Sequence, residues 1–196
     1  MKKSGIPFAA CIHALLFVTA LLLLSCGSKG QSSAKQSTSA TTKPAAPAVD
    51  IHTAVVTGNV EAIKQHIAAG TNINEKDPFG GSSPLISATV FGKSDIAKIL
   101  IDAGADLNFK NNDGSTPLHT AAFFCHPDIV KMLLDKGANK TIKNRFGATP
   151  YESVAAPFSE VKGAYDMMAQ MLGPMGLKLD FAYIEQTRPV IAKMLK

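Results

Sequence analysis

The side chains able to do acid–base or nucleophilic work are few in this sequence. Past residue 50 it holds His52, His66, His119 and His126 and a single cysteine, Cys125. None falls into an H-E-x-x-H pattern or a Cys/His pair at zinc-ligand spacing. Cys125-His126 sets a nucleophile beside a base, yet neighbours in sequence seldom face one another. No phosphate loop and no G-x-S-x-G occurs. The pair Gly80-Gly81 is too short to cradle a phosphate and reads as a hairpin turn. An enzyme is therefore not expected, and neither a metal nor a cofactor is.

Cys125 keeps two readings. It stands where Gly58 and Gly92 stand in neighbouring segments, at the end of a first helix. If the backbone there has positive φ, a side chain costs ~1 kcal/mol against glycine. A redox-reactive thiol needs a lowered pKa; otherwise the side chain is tolerated drift.

The elements that position these residues come in three chemically different segments. The 196 residues suit one domain of ordinary size, and 46% hydrophobic with 18% charged side chains excludes a wholly disordered or polytopic membrane chain. The formal charge of +5 comes from Lys2, Lys3, Lys29, Lys35 and Lys43; residues 50–196 hold fifteen basic and fifteen acidic groups. Composition thus lends no support to nucleic-acid binding, and no nucleic-acid partner is expected.

Residues 1–25 read as an export signal: Lys2-Lys3, then the apolar run Ala14–Leu24, broken only by Thr19. Eleven residues match a secretory h-region and are short for a bilayer span. The run ends in Leu23-Leu24-Ser25-Cys26-Gly27, which resembles the lipobox of bacterial lipoproteins. That resemblance implies Cys26 as a mature N-terminus carrying a diacylglyceryl thioether and an N-acyl chain. Because Asp is absent just after Cys26, it also implies the periplasmic face of the outer membrane over the inner membrane. An uncleaved anchor reaching back to Ile6, and ordinary cleavage near Ser25, stay open. Residues 26–49, rich in Ser, Thr, Ala, Gly, Gln and Lys, cannot offset the entropy of ordering and read as a flexible linker. Its coil span is ~25 Å.

Residues 50–196 repeat. Ser83-Pro84-Leu85, Thr116-Pro117-Leu118 and Thr149-Pro150-Tyr151 recur with prolines 33 apart. Gly70, Gly104 and Gly137 recur at 34 and 33, and Asp95–Ile101 is echoed by Asp128–Leu134. This resembles the ankyrin repeat, with its T-P-L-H-x-A pattern; Thr116-Pro117-Leu118-His119-Thr120-Ala121 matches throughout. The implied fold is all-α, a solenoid of about four helix-turn-helix units with short hairpin-like loops and extra C-terminal capping helices. The residues agree. Pro117 suits a first helical turn, and Ile96, Leu100 and Ala103 make one apolar stripe. The three glycines fit left-handed helix ends. The resemblance fades after Pro157, where helices are expected at about 160–172 and 181–195, with Asp180 as a cap.

The resemblance implies a recognition surface on the turn tips and the concave face of the first helices. By position these are Phe79, Asn112, Asp113, Arg145 and Phe146 at the tips and Phe91, Phe123 and Phe124 on the face. Phe91 and Phe124 could equally lean into the stack. His119 is implied to be a buried structural imidazole. The expectation is a monomeric, membrane-anchored protein-binding module or scaffold in the cell envelope, with the partner an unidentified envelope protein. The alternative is an inhibitor or immunity protein that blocks a toxin or hydrolase.

Overall fold

Hydroxyl and carboxyl side chains start the helices, and proline sets the first turn. Asp50 accepts from the Thr53 N–H at 2.9 Å to open α1 (Ile51–Thr57). Ser83 accepts from the Ile86 N–H at 3.3 Å to open α3 (Pro84–Val90), and Thr116 precedes α5 (Pro117–Phe123). Each proline occupies a first-turn position whose N–H has no helical partner to lose. The second helices α2 (Val60–Ala68), α4 (Ser94–Asp102) and α6 (Pro127–Asp135) end at Gly70, Gly104 and Gly137, all with positive φ. The expected left-handed ends are thus present.

The structure is a computed structural model that describes residues 44–196. The expected signal segment 1–25, Cys26 and the linker as far as residue 43 lie outside the described residues.

Three helical hairpins, α1/α2, α3/α4 and α5/α6, stack with first helices on first helices and second on second. Leu85 and Leu118 on the first helices and Leu100 and Leu133 on the second are fully buried in one continuous core. Each hairpin alone would leave one apolar face in water, so burial accrues between units. At the front, His66 takes the place of Leu100 and Leu133. It is buried but satisfied: Nδ1 lies 3.0 Å from Thr71 Oγ1 and Nε2 2.8 Å from the Val49 carbonyl.

The fourth unit departs from this pattern. Its first helix, α7 (Glu152–Ala155), packs against α5 and is followed by α8 (Phe158–Leu172), a 3₁₀ turn (Gly173–Met175) and α9 (Phe181–Leu195). Helix α9 packs against both α6 and α7, and its Ile191 and Leu195 enter the main core. It therefore occupies the place of the missing second helix of unit four. Residues 156–180, carrying α8, are an insertion between the two helices of that unit. Asp180 caps α9 as expected, accepting from the Tyr183 N–H at 3.1 Å, and Pro189 lies within the helix on its exposed side. The described residues form helices and turns without a strand.

Candidate protein-binding surface

The tips are built from side chains that hold their own turns. Asp77 accepts from the N–H groups of Phe79 at 2.8 Å, Gly80 at 2.7 Å and Ser82 at 2.6 Å. Partial burial pushes its carboxyl up, but these donations outweigh it and hold the group below the usual carboxylate range. Asn111 does the same for Asp113 and Ser115 at 3.0 and 2.9 Å, and Asn144 for Phe146 and Ala148 at 3.0 and 3.1 Å. An amide oxygen thus replaces the carboxylate without loss of the turn.

Successive tips are tied together. The Asn112 N–H donates to Gly80 O at 2.9 Å and the Arg145 N–H to Asp113 O at 2.8 Å. The Arg145 guanidinium also reaches Asn112 O at 2.8 Å. One layer back, Asn74 accepts from the Asp106 N–H and Asn108 from the Asn139 N–H, both at 2.9 Å. The His119 side chain closes the lattice, with Nδ1 taking the Thr116 N–H at 3.2 Å and Nε2 lying 3.0 Å from Ala148 O. Burial lowers its pKa, so the ring stays neutral and structural.

On this rigid ladder Phe79 is 90% exposed and Phe146 78%. Asn112, Asp113 and Arg145 are exposed beside them. The concave row behaves differently. Val56, Val90 and Phe123 occupy equivalent places in units one to three, each half-buried. Phe91 is half-buried as well. Phe124 is 6% exposed and packs edge-on against Phe123 at 5.1 Å, so it is a packing residue and presents nothing to a partner.

Phe123 is covered too, by a residue that repeat spacing could not point to. Tyr165 of α8 stacks on it at 4.4 Å, with the rings 15° apart, and donates its hydroxyl to Phe123 O at 2.5 Å. Arg188 donates to the Tyr165 oxygen at 2.7 Å from within the protein. Further along, Leu172 and Met175 border a groove of about 730 Å³ whose other apolar walls include Val56, Val90, Phe91 and Phe79. Tyr165, Leu172 and Met175 lie outside the repeat period, so repeat spacing does not point to them. Their signal is a separate one, the spacing of Phe158, Val161, Tyr165, Met168 and Leu172 by threes and fours.

The residues weighed for chemistry are engaged elsewhere. Cys125 has φ 59°, the left-handed conformation its position demands, and is fully buried. Burial pushes its thiol up to about 11, with Arg188 and the Tyr165 hydroxyl opposing. The thiolate that reactivity needs is therefore disfavoured. His126 is packed between units, its pKa lowered by burial, with Asp128 and the Val90 carbonyl opposing. Among the described residues no group of three His, Cys, Asp or Glu could hold a metal ion. No helix there is long and apolar enough to cross a membrane.

Comparison with known proteins agrees with this geometry. The model of the family described as "Ankyrin repeats (3 copies)" matches residues 51–144. The chain is 41% identical over 64 residues to protein phosphatase 1 regulatory subunit 27 of Homo sapiens, covering 33% of this chain and 41% of that protein. It is 33% identical over 57 residues to ankyrin repeat-containing protein P1E11.10 of Schizosaccharomyces pombe, covering 29% of this chain and 27% of that one. The chain thus spans less than half the length of these relatives. Among solved structures, the ankyrin repeat domain of Bcl-3 aligns with TM-score 0.51 and 30% identity, over 53% of this chain and 45% of that one. Such repeats point to a non-catalytic protein-interaction module. Residues 51–144 match the ankyrin-repeat family model, and the described residues have the all-helical ankyrin-repeat fold.

Proposed function

We propose that this protein is a lipid-anchored ankyrin-repeat module that binds another protein in the bacterial cell envelope and carries out no chemistry itself. The observation that carries the reading is the pair Phe79 and Phe146, held in water on turns that are each hydrogen-bonded to the turn between them. Exposing large aromatic rings on an ordered lattice gains nothing for folding. Buried at the centre of an interface, such rings concentrate binding energy, and the rigid turns lose little entropy on docking. The exposed Asn112, Asp113 and Arg145 between them supply polar contacts. Acylation at Cys26 would hold the module at the membrane, since several chains at ~0.8 kcal/mol per buried CH₂ give stable anchoring.

A second reading is an inhibitor that blocks a toxin or hydrolase through the same surface. It is favoured by one observation, that a relative is by name a regulatory subunit of a phosphatase.

The test is affinity capture from envelope extract with the native chain and with a Phe79→Ala, Phe146→Ala chain of equal helicity. A stoichiometric partner held by the first and lost by the second is expected. Capture that survives the double change refutes the tip surface. Inhibition of the captured partner's activity would favour the second reading. In parallel, Cys26→Ala should abolish metabolic labelling by a radioactive fatty acid, and labelling that persists would remove the anchor.

A further inference from the structure

The fourth unit's insertion lies across the face that the preceding units use for recognition. Its inner stripe, Phe158, Val161, Tyr165, Met168 and Leu172, is spaced as one side of an amphipathic helix. Tyr165 sits on Phe123, the unit-three member of the concave row. Val56 and Val90, the unit-one and unit-two members, emerge beyond α8 into the open groove that Leu172 and Met175 border. One row of equivalent positions is thus part covered by a helix and part open.

Helix α8 is also weakly integrated. Tyr165 is its single fully buried side chain. With Cys125 and Ile184 it forms a small cluster separate from the main core. The outer face leaves Met167 and Met171 in water, with Met175 beyond. Gly163 interrupts the helix at about 1 kcal/mol relative to alanine. Its two ends are helix breakers: Pro157 on one side, and Gly173-Pro174 with Gly176 at φ 97° on the other. Such a segment belongs to the low-stability end of a fold and can open while the repeats stay closed.

We infer that α8 is a built-in occupant of the concave recognition row, and that it gives way to a partner's amphipathic helix bearing the same stripe, an aromatic ring flanked by aliphatic side chains three to four residues away. The inference deepens the binding-module reading and rests on it. A helix is the fitting occupant because a helix already fills part of the row: the Phe123 ring takes a ring stacked at 4.4 Å and its carbonyl accepts a hydroxyl hydrogen bond. The uncovered stretch of Val56, Val90 and Phe91 continues the same apolar surface. A partner that stacks on Phe123 must first displace Tyr165, so closure of α8 sets a threshold for binding.

Cys125 reports the opening, because it is fully buried beneath Tyr165 and Ile184. The full chain with Cys11→Ser and Cys26→Ser leaves it as the sole thiol. In native buffer, α8 amides should exchange at least about tenfold faster than those of α5, and Cys125 should react with a maleimide at a rate set by that opening. Equal protection of α8 and α5 overturns the inference without any variant being made. The second arm uses a synthetic peptide of residues 157–173 as probe. It should bind the Tyr165→Ala chain, bind the unaltered chain at least about tenfold more weakly, and fail on a Phe123→Ala, Tyr165→Ala chain. Peptide binding indifferent to Phe123, or absent from the Tyr165→Ala chain, overturns the helix-exchange mode. Neither result touches capture through Phe79 and Phe146, so failure of this inference and failure of the binding-module reading are distinguishable.

Discussion

Units three and four share a first-helix start and differ in the connection to the second helix. In unit three the chain turns at Phe124, Cys125 and His126 and enters α6; in unit four, residues 156–180 intervene before α9. Both nonetheless contribute the same layers to the stack, because α9 buries Ile191 and Leu195 where a second helix belongs. The stacking core therefore tolerates a long interruption at the helix-to-helix turn, as expected when loop-closure entropy grows only slowly with length. What the interruption changes is the concave face, which is open over units one and two and covered over unit three.

The turn positions repeat that contrast on a smaller scale. Gly58, Gly92 and Cys125 are equivalent and all have positive φ. At Gly92 a Cβ would lie 2.6 Å from the His126 ring, so glycine is required twice over, by conformation and by space. At Cys125 the neighbours are Tyr165 of the insertion and Ile184 of α9, which leave room for a sulfur. Its thiol lies 3.8 Å from Ile184 O. The cysteine is thus neither reactive nor idle; it is a contact between the repeats and the covering helices.

The hardest way to break the comparison is to attack the shared core. Leu133→Ala should cost about 2–5 kcal/mol and unfold the repeats and α9 together, since the site is fully buried in the common cluster. Exchange of α9 amides that separates from loss of helicity by circular dichroism would show that unit four is not part of the stack. Next come the turn positions. Gly92→Ala should cost about 1–3 kcal/mol in urea unfolding. Cys125→Gly should stay within about 1 kcal/mol of zero, because relief of the left-handed backbone offsets the lost packing. Equal effects at the two sites would mean that the insertion does not distinguish them.

Acidification probes the regular units. Burial holds His119 and His126 below their ordinary 6.5, so the unfolded chain takes up protons first. Stability is then full above that value and falls as pH drops below it. The urea midpoint at about pH 5.5 should lie below that at about pH 7.5; equal midpoints would show that neither ring is desolvated. The smallest effect belongs to the tips. Phe79→Ala and Phe146→Ala should each change stability by less than about 0.5 kcal/mol while removing partner capture. A larger loss of stability would make these rings structural.

Much of the fold was legible in the chain because stacking depends on neighbours at a fixed period. Thr116-Pro117-Leu118 announced its own cap and first turn, the family resemblance implied the buried His119 imidazole, and Gly70, Gly104 and Gly137 announced the helix ends. The tips Phe79 and Phe146 could be placed for the same reason, each turn being held by a side chain within five residues. Phe123 and Phe124 were less readable. Adjacent and chemically identical, they differ in burial because one takes Tyr165 on its face and the other packs at its edge.

The amino-acid sequence alone dictated the period, the helix starts and ends, the polar front of the array and the aromatic tips, since each depends on contacts inside a unit or with the next one along. It took the packed chain to establish that α9 completes unit four, that α8 lies over Phe123, and that Cys125 is sealed beneath it. Those outcomes rest on contacts between residues some twenty to sixty positions apart, such as Tyr165 with Phe123, Arg188 with Tyr165 and Cys125 with Ile184. No local pattern encodes such pairs; they arise where the stacked repeats leave an apolar face for an insertion to cover.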